Sequence, residues 1–309
     1  MAAPPDLVIR RYQPADRDTL SALLAAPAVR EQYDMFAGAD GVERMLGDPY
    51  TPLGSVHLAF AGGEAAGFSY AVVLPGPPAR WAVVRGAVLP HLRRRGIGRA
   101  LYERVLAAVR TDGALAEHVV SAWLPEPGAE AMTTSLGFEP ERYLWLMERP
   151  RTEVAAPVWP AGVEVRVHDG SDAMLRDWTD IYNDSFAEHY RFVPAPIEHT
   201  YELVKKPGFR PDGLLLAYRD GRVAGFCRIE LFECRGEIGT LGTAHAARGI
   251  GLGRQLLRWG VAWLLRETTL PVSLLVDGEN EGALALYRSE GFVVTRTRRT
   301  WVRRETGTA

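Results

Sequence analysis

Apolar residues recur along this chain with two periods. Leu101, Val105, Ala108 and Val109 fall at i, i+4, i+7 and i+8, and Leu257, Val261, Leu264 and Leu265 repeat that spacing in the second half. Such spacing lays one apolar stripe along a helix and predicts two amphipathic helices, each packed by one face. The segments just before them, 82–89 and 237–243, read as strands. Working outwards, the pattern predicts further strands over 7–12, 56–60, 68–74 and 118–123 in the first half, and over 163–167, 214–218, 223–232 and 272–276 in the second. Helices are expected over 15–25 and 171–187, with Ser171 as the N-cap of the latter. A short helix and a last strand close each half. Strands and helices interleaved in this way predict an α/β (α+β) fold, with a mixed twisted sheet flanked by helices in each half.

The two halves are copies. Arg93-Arg-Arg-Gly96-Ile-Gly98-Arg99 recurs as Arg248-Gly-Ile-Gly251-Leu-Gly253-Arg254, 155 residues on. Leu136-Gly137-Phe138 recurs as Glu290-Gly291-Phe292 after 154 residues, and the Gly67-Phe68 turn region recurs at Gly225-Phe226. Matches in one order, at so long and nearly constant an offset, mean domain duplication, because solenoid repeats run only ~20–50 residues. Residues 150–160 are rich in Pro and Ala and keep neither period, so they read as a linker. The expected organisation is a first domain over 1–150, a linker over 151–160 and a second domain over 161–309.

Composition narrows the function classes. The 309 residues are 47% hydrophobic and 24% charged, which excludes a disordered chain. With 36 Lys and Arg against 38 Asp and Glu, no basic field exists to hold nucleic acid or an anionic membrane, and neither is an expected partner. Cys227 and Cys234 fit no zinc knuckle, redox dithiol or disulfide framework and read as reduced thiols. The seven histidines are scattered without metal-ligand spacing, so no metal is expected. No stretch approaches the ~18 apolar residues of a membrane span, and the first residues have no basic start or apolar run; a cytoplasmic protein is expected.

The glycine motif carries the chemistry. A strand running into Arg-x-x-Gly-x-Gly, with a helix beginning inside the motif, presents free backbone N–H groups at a helix N-terminus. The glycines let a phosphate approach those groups, and the helix dipole adds roughly half a positive charge. The candidate residues for binding such a diphosphate-bearing ligand are Leu241, Gly242, Thr243, Arg248, Gly249, Ile250, Gly251, Leu252, Gly253 and Arg254 in the second half. Their counterparts in the first are Val88, Arg93, Arg94, Arg95, Gly96, Ile97, Gly98 and Arg99. Neither copy has the Gly-Lys-Ser/Thr of a Walker loop. The third glycine of a dinucleotide fingerprint is replaced by Arg254 in one and Leu101 in the other.

These residues resemble the acyl-CoA pyrophosphate motif of the GNAT superfamily of N-acetyltransferases. The run from Asn280 through Ala283 and Tyr287 to Gly291-Phe292 is similar to a later Asn-x-x-Ala…Tyr…Gly-Phe segment of that family. The resemblance covers nearly the whole chain as two tandem GNAT-like domains, and its motifs are more specific in the second. It implies an acetyl-CoA-dependent N-acetyltransferase acting on the primary amine of a small molecule, with Asn280 and Ala283 joining the acyl-CoA site. Backbone amides near Leu241 and Gly242 would hold the thioester carbonyl. The fused copies supply the pairing that single-domain members get by dimerising, so the expected state is a monomer or a homodimer.

Amide formation from a thioester asks for a base to free the amine, a donor for the carbonyl oxygen and an acid for the departing thiolate. The resemblance places the base on Glu237, with Glu230 and Glu233 as rivals, and the acid on Tyr287. It places the acceptor wall in the segment that holds Asn183, Phe186, His189, Tyr190 and Phe192. In the first half, Ala82 stands for Glu237, Thr133 for Tyr287 and Glu126-Pro127 for the Asn280 region. The C-terminal half is therefore expected to catalyse, and the N-terminal half either to bind acyl-CoA without turnover or to serve as a scaffold. A narrower reading makes cysteinyl-glucosaminyl-inositol the acceptor; a competing one makes the chain a non-catalytic acyl-CoA-binding protein.

Overall fold

A computed structural model of the chain describes residues 6–33, 36, 41–76, 80–110, 115–205 and 209–305. Its strands are β1 (Val8–Arg11), β2 (His57–Ala61), β3 (Glu64–Leu74), β4 (Arg80–Val88), β5 (Leu115–Trp123), β6 (Glu139–Arg149), β7 (Val163–Val167), β8 (Leu214–Arg219), β9 (Arg222–Leu231), β10 (Gly236–Thr243), β11 (Val272–Asp277) and β12 (Val293–Arg304). Its helices are α1 (Arg17–Ala25), α2 (Pro27–Arg30), α3 (Gly41–Leu46), α4 (Ile97–Arg110), α5 (Pro127–Ser135), α6 (Asp172–Phe186), α7 (Ile197–Val204), α8 (Leu252–Glu267) and α9 (Glu281–Ser289). The strands predicted from the pattern are present, and Ser171 caps α6 by accepting the Met174 N–H. The short helices α2, α3 and α7 break no periodicity strong enough to reveal them. Helix α1 starts two residues later than expected, because Pro14–Asp16 form a 3₁₀ turn. That turn is pinned by the buried Asp16 carboxylate, which accepts two 2.6 Å hydrogen bonds from Arg10.

The chain folds into two compact units, which divide differently from the halves of the sequence. Unit 1 comprises Met1–Leu144 with Arg296–Ala309, and unit 2 comprises Trp145–Thr295. In unit 1, β1, β2, β3 and β4 pair antiparallel in sequence order and β4 pairs parallel with β5. The outer partner of β5 is β12, whose residues Arg298 to Arg304 run antiparallel to Trp123 to Glu117. Unit 2 repeats the scheme with β7, β8, β9, β10 and β11, and Trp145 and Met147 of β6 pack into its core. Domain limits at 150 and 161 are thus corrected: Trp301 from the end of the chain is buried in the core of unit 1, and Met147 from the first half in that of unit 2. The physical reason lies in the duplication. Both last strands follow a Gly-Phe turn and offer similar edges, so sequence alone cannot tell which sheet takes which strand.

The amphipathic helices pack as their stripes require. Leu101, Val105 and Val109 of α4, and Leu257, Val261 and Leu264 of α8, are all buried against their own sheets. Each such side chain contributes roughly 1.5–3 kcal/mol of hydrophobic stabilisation. That packing fixes each helix N-terminus at the end of the strand before it.

Candidate active site

In both units the central parallel pair comes apart. Strands β10 and β11 pair only over Gly236 to Ile238 with Val272 to Leu274, although β10 continues to Thr243. Beyond Ile238 a wedge opens on that side of β10. The ladder with β9 decides what faces it. Ala244 donates to Ala224, and Gly242 and Leu241 oppose Phe226 and Cys227. Because hydrogen-bonded and non-hydrogen-bonded pairs alternate in an antiparallel ladder, Leu241 turns its N–H and C=O away from β9 and into the wedge. A Cβ on Gly242 would lie 2.3 Å from Ser185 Oγ, so only glycine lets α6 approach β10 here.

The glycine motif closes the wide end of the wedge. Gly249 and Gly251 have φ of 81° and 85°, a left-handed backbone that glycine adopts without strain, and Gly251 is the N-cap of α8. Gly253, in the first turn, faces Thr243 and Leu286. The first N–H groups of α8 have no partner within the helix and project beyond this end. Asn280 caps α9 by accepting the Ala283 N–H at 3.1 Å, which aims that helix at the same place. Arg248 is bonded to Glu188, which also lies 2.9 Å from His245. Arg254 and Arg258 both hold Glu290. Burial would raise the Glu290 carboxyl, but these two guanidinium groups outweigh it and keep the acid below its ordinary range.

The two proton-transfer candidates lie on opposite faces of the sheet. Glu237 opposes Glu230 across the ladder, and Arg228, next on that face of β9, stacks over Trp178 of α6. Glu237 is buried, with Oε2 2.9 Å from Nε of the equally buried Arg235. Arg235 was not among the candidates; its place two residues before Glu237, beyond the hairpin turn, was the available signal. Glu230 is paired with Arg228, and Glu233 is exposed in the β9–β10 turn. Tyr287 lies on the other face, half-buried among the α8 core residues with its ring 6.2 Å from Phe292. Burial, and then the neighbouring Cys227 thiol, push its hydroxyl up to about 12.

On the α6 side, Phe186 forms a ring cluster with Tyr182, His189 and Phe226, and Phe192 packs on Tyr182. Asn183 is turned to structure: its amide clamps both backbone groups of Ala195 and so fixes the intervening loop. The Tyr190 hydroxyl accepts a hydrogen bond from Arg191.

The wedge of unit 1 is filled from within. Strands β4 and β5 stop pairing at Val84 and Val120. Gly86, the counterpart of Leu241 by register, gives its N–H to the Tyr33 hydroxyl at 2.7 Å and accepts from that hydroxyl at 2.9 Å. Gln32 forms the same two-way bond with the backbone of Trp123. Arg93 donates to the Val88 carbonyl at 2.9 Å and lies 3.7 Å from Glu126, the residue that replaces Asn280. Arg94 takes the left-handed position of Gly249 with φ of 64°. Arg95 bonds the His91 carbonyl and Arg99 the Ser135 hydroxyl. Ile97 begins α4, and Gly98 faces Val88 and Met132 as Gly253 faces Thr243 and Leu286. Thr133 is fully buried and bonded to its own helix. Nothing local in the sequence marks Tyr33 and Gln32, which act across more than 50 residues.

A splayed parallel strand pair, with a glycine-lined helix N-terminus at its mouth, defines an acyltransferase fold, present twice. The chain matches the model of the Acetyltransferase (GNAT) family over residues 24–138 and 175–292, and it belongs to that family. It is an acyltransferase, and GNAT acetyltransferases use acetyl-CoA. A mycothiol acetyltransferase of Thermobispora bispora is 32% identical over 300 residues, covering 91% of this chain and 94% of that protein. The GCN5-related N-acetyltransferase from Sphaerobacter thermophilus superposes with a TM-score of 0.74 at 25% identity, over 98% of this chain and 97% of its own. A tandem GNAT protein from the clavulanic acid biosynthesis pathway shares the fold, with a TM-score of 0.73 at 18% identity over 98% of this chain and 100% of its own. Among the described residues, no helix is long and apolar enough to cross a membrane, and no group of three or more His, Cys, Asp or Glu could hold a metal ion.

Proposed function

We propose that this chain moves an acetyl group from acetyl-CoA to the primary amine of a small molecule, and that unit 2 does so while unit 1 serves as scaffold. One observation carries the choice of unit. The Leu241 N–H faces an open wedge beside Tyr287, whereas the matching Gly86 N–H is already held by Tyr33. In this reading the amides of the glycine motif and the α8 N-terminus bind the diphosphate. The pantetheine arm lies in the wedge along β10, and the Leu241 N–H supports the thioester oxygen as it gains charge.

Glu237 stands four residues before Leu241, about 13 Å along a strand, too far for its carboxylate to touch an amine at that carbonyl. Glu237 therefore takes the ammonium proton through intervening water. The neutral nitrogen attacks the carbonyl carbon from the α6 face; as the tetrahedral intermediate collapses the nitrogen loses its second proton to the same water, the carbon–sulfur bond breaks, and Tyr287 gives its proton to the thiolate on the α8 face. Solvent returns a proton to Tyr287, and Glu237 releases its own to water. Arg235 holds Glu237 in place. The relatives named mycothiol acetyltransferase, 31% to 35% identical, favour cysteinyl-glucosaminyl-inositol as the acceptor within this class.

The test is acetyl-CoA-dependent thiol release with cysteinyl-glucosaminyl-inositol, polyamines, aminoglycosides and a lysine peptide. Turnover above hydrolysis with a small amine is expected. Turnover with the peptide alone would overturn the acceptor class, and bound CoA without turnover on any amine would make the chain a binding protein.

A further inference from the structure

Unit 1 contains an open pocket of about 260 Å³, about two turns along α4 from its glycine motif, lined by Ile9 and Arg11 of β1, His57 of β2, and Arg104, Ala107 and Ala108 of α4. Arg10 contributes only backbone, since its guanidinium is bound to Asp16 and stacked over Phe60. Arg11 and His57 are register partners on one face, and Arg104 reaches the same space from α4. None of the lining residues is acidic, and neither Arg11 nor Arg104 forms an ion pair among the described residues. His57 is 5% exposed. Its Nδ1 lies 2.8 Å from the Ser55 carbonyl, so that nitrogen carries the proton and Nε2 is left for another partner.

The duplication supplies an internal control. The positions 155 residues on from Arg104 and Ala108 are Trp259 and Trp263, and the register places Leu215 and Val167 where unit 1 has His57 and Arg11. In unit 2, Trp263 and Leu215 are buried in the apolar core and Trp259 packs on it. One copy fills this space with indole rings. The other leaves it open and sets two guanidinium groups beside a buried imidazole, a concentration of positive potential that favours an anion.

We propose that this cavity binds a phosphate-type oxyanion, as inorganic phosphate or as a small phosphate monoester. Arginine forks match the geometry of phosphate oxygens, and His57 would offer Nε2–H to the same group once protonated by the bound charge. The volume lies below the ~300–1,000 Å³ usual for drug-sized ligands, which fits one phosphate with a short organic remainder.

The experiment is calorimetric titration of the full chain with sodium phosphate, with glycerol 3-phosphate and with sodium chloride at constant ionic strength. Saturable binding of at least one of the two phosphates, and none of chloride, is expected. Arg11→Met and Arg104→Met should each weaken it about tenfold or more, the scale of one charge-assisted hydrogen bond. Ala108→Trp, which imports the residue of unit 2, should abolish it without removing a charge. Arg222→Met, at an exposed position that opens β9 and lies outside both sites, should leave it unchanged. The tighter of the two phosphates identifies the source of the anion. Phosphate binding no stronger than chloride binding, or equal in wild type, Arg104→Met and Ala108→Trp, would overturn the proposal.

Discussion

Replacing Tyr287 by phenylalanine removes one oxygen from the centre of the proposed mechanism and little else. The ring keeps its contacts with Phe292 and the α8 core, so the variant should fold and bind acetyl-CoA as before. What it loses is a proton donor on the α8 face of the wedge. General acid catalysis by a positioned side chain contributes typically ~10²–10⁴-fold, which corresponds to about 3–5 kcal/mol of barrier at ~1.4 kcal/mol per tenfold. The expected result is a fall of that size in kcat for thiol release, with KM for acetyl-CoA within about twofold. The pH profile gives a second readout. Because burial pushes the Tyr287 hydroxyl up to about 12, the wild type keeps its acid protonated through pH 10, and no alkaline fall in kcat between pH 8 and 10 should come from this group. A kcat within threefold of wild type, at saturating acetyl-CoA and amine, would refute the assignment. An alkaline limb near pH 9 that vanishes in Tyr287→Phe would refute the reading of its surroundings.

Other consequences are open to measurement. Tyr33→Phe strips both backbone groups of Gly86 of their partner and should cost about 1–3 kcal/mol in urea unfolding. Turnover should not change, and an altered acyl-transfer rate would count against a scaffold role for unit 1. Trp301→Ala should destabilise by about 3–5 kcal/mol; hydrogen exchange should show the lost protection in β5 and α4 peptides, and loss confined to β11 would contradict the strand assignment. His118 is fully buried, and burial pushes its imidazole down to about 4 even though Glu305 lies 2.8 Å away and pulls the other way. A depressed histidine favours the folded state above pH 6.5 and loses that contribution as pH falls to 4, about 3 kcal/mol in all. Urea midpoints at pH 7 and 4.5 should therefore diverge more in wild type than in His118→Phe, and equal slopes would refute this.

Much of the architecture was legible because it is local. Helices α4 and α8 declare themselves by spacing, and the glycine motif by the left-handed turn that Gly251 and Gly96 supply. What escaped is pairing between distant residues. The glycine motif offers Arg93 and Arg254 as reinforcement of a phosphate site; in the structure Arg93 bonds the Val88 carbonyl, and Arg254 shares Glu290 with Arg258. Val88 is a near neighbour on β4, but Glu290 lies just beyond α9, 36 residues from Arg254, and that distance hides it. Tyr33 and Gln32 follow no motif at all, since any residue with a donor and an acceptor could satisfy the open backbone of a wedge. The exchange of last strands could not be read because the two copies present the same pattern.

That exchange also changes how damage along the chain should be read. A stop codon that removes the last ten residues looks like a lesion in the half that carries Glu237 and Tyr287, yet the missing end of β12, with Trp301, belongs to the other unit. Cutting at the linker near Pro157 would likewise strip each unit of a core strand, so neither fragment is a domain in the sense of an independently inherited part. Once each copy came to need a strand encoded by the other, the duplication could no longer be undone by simple loss of one half.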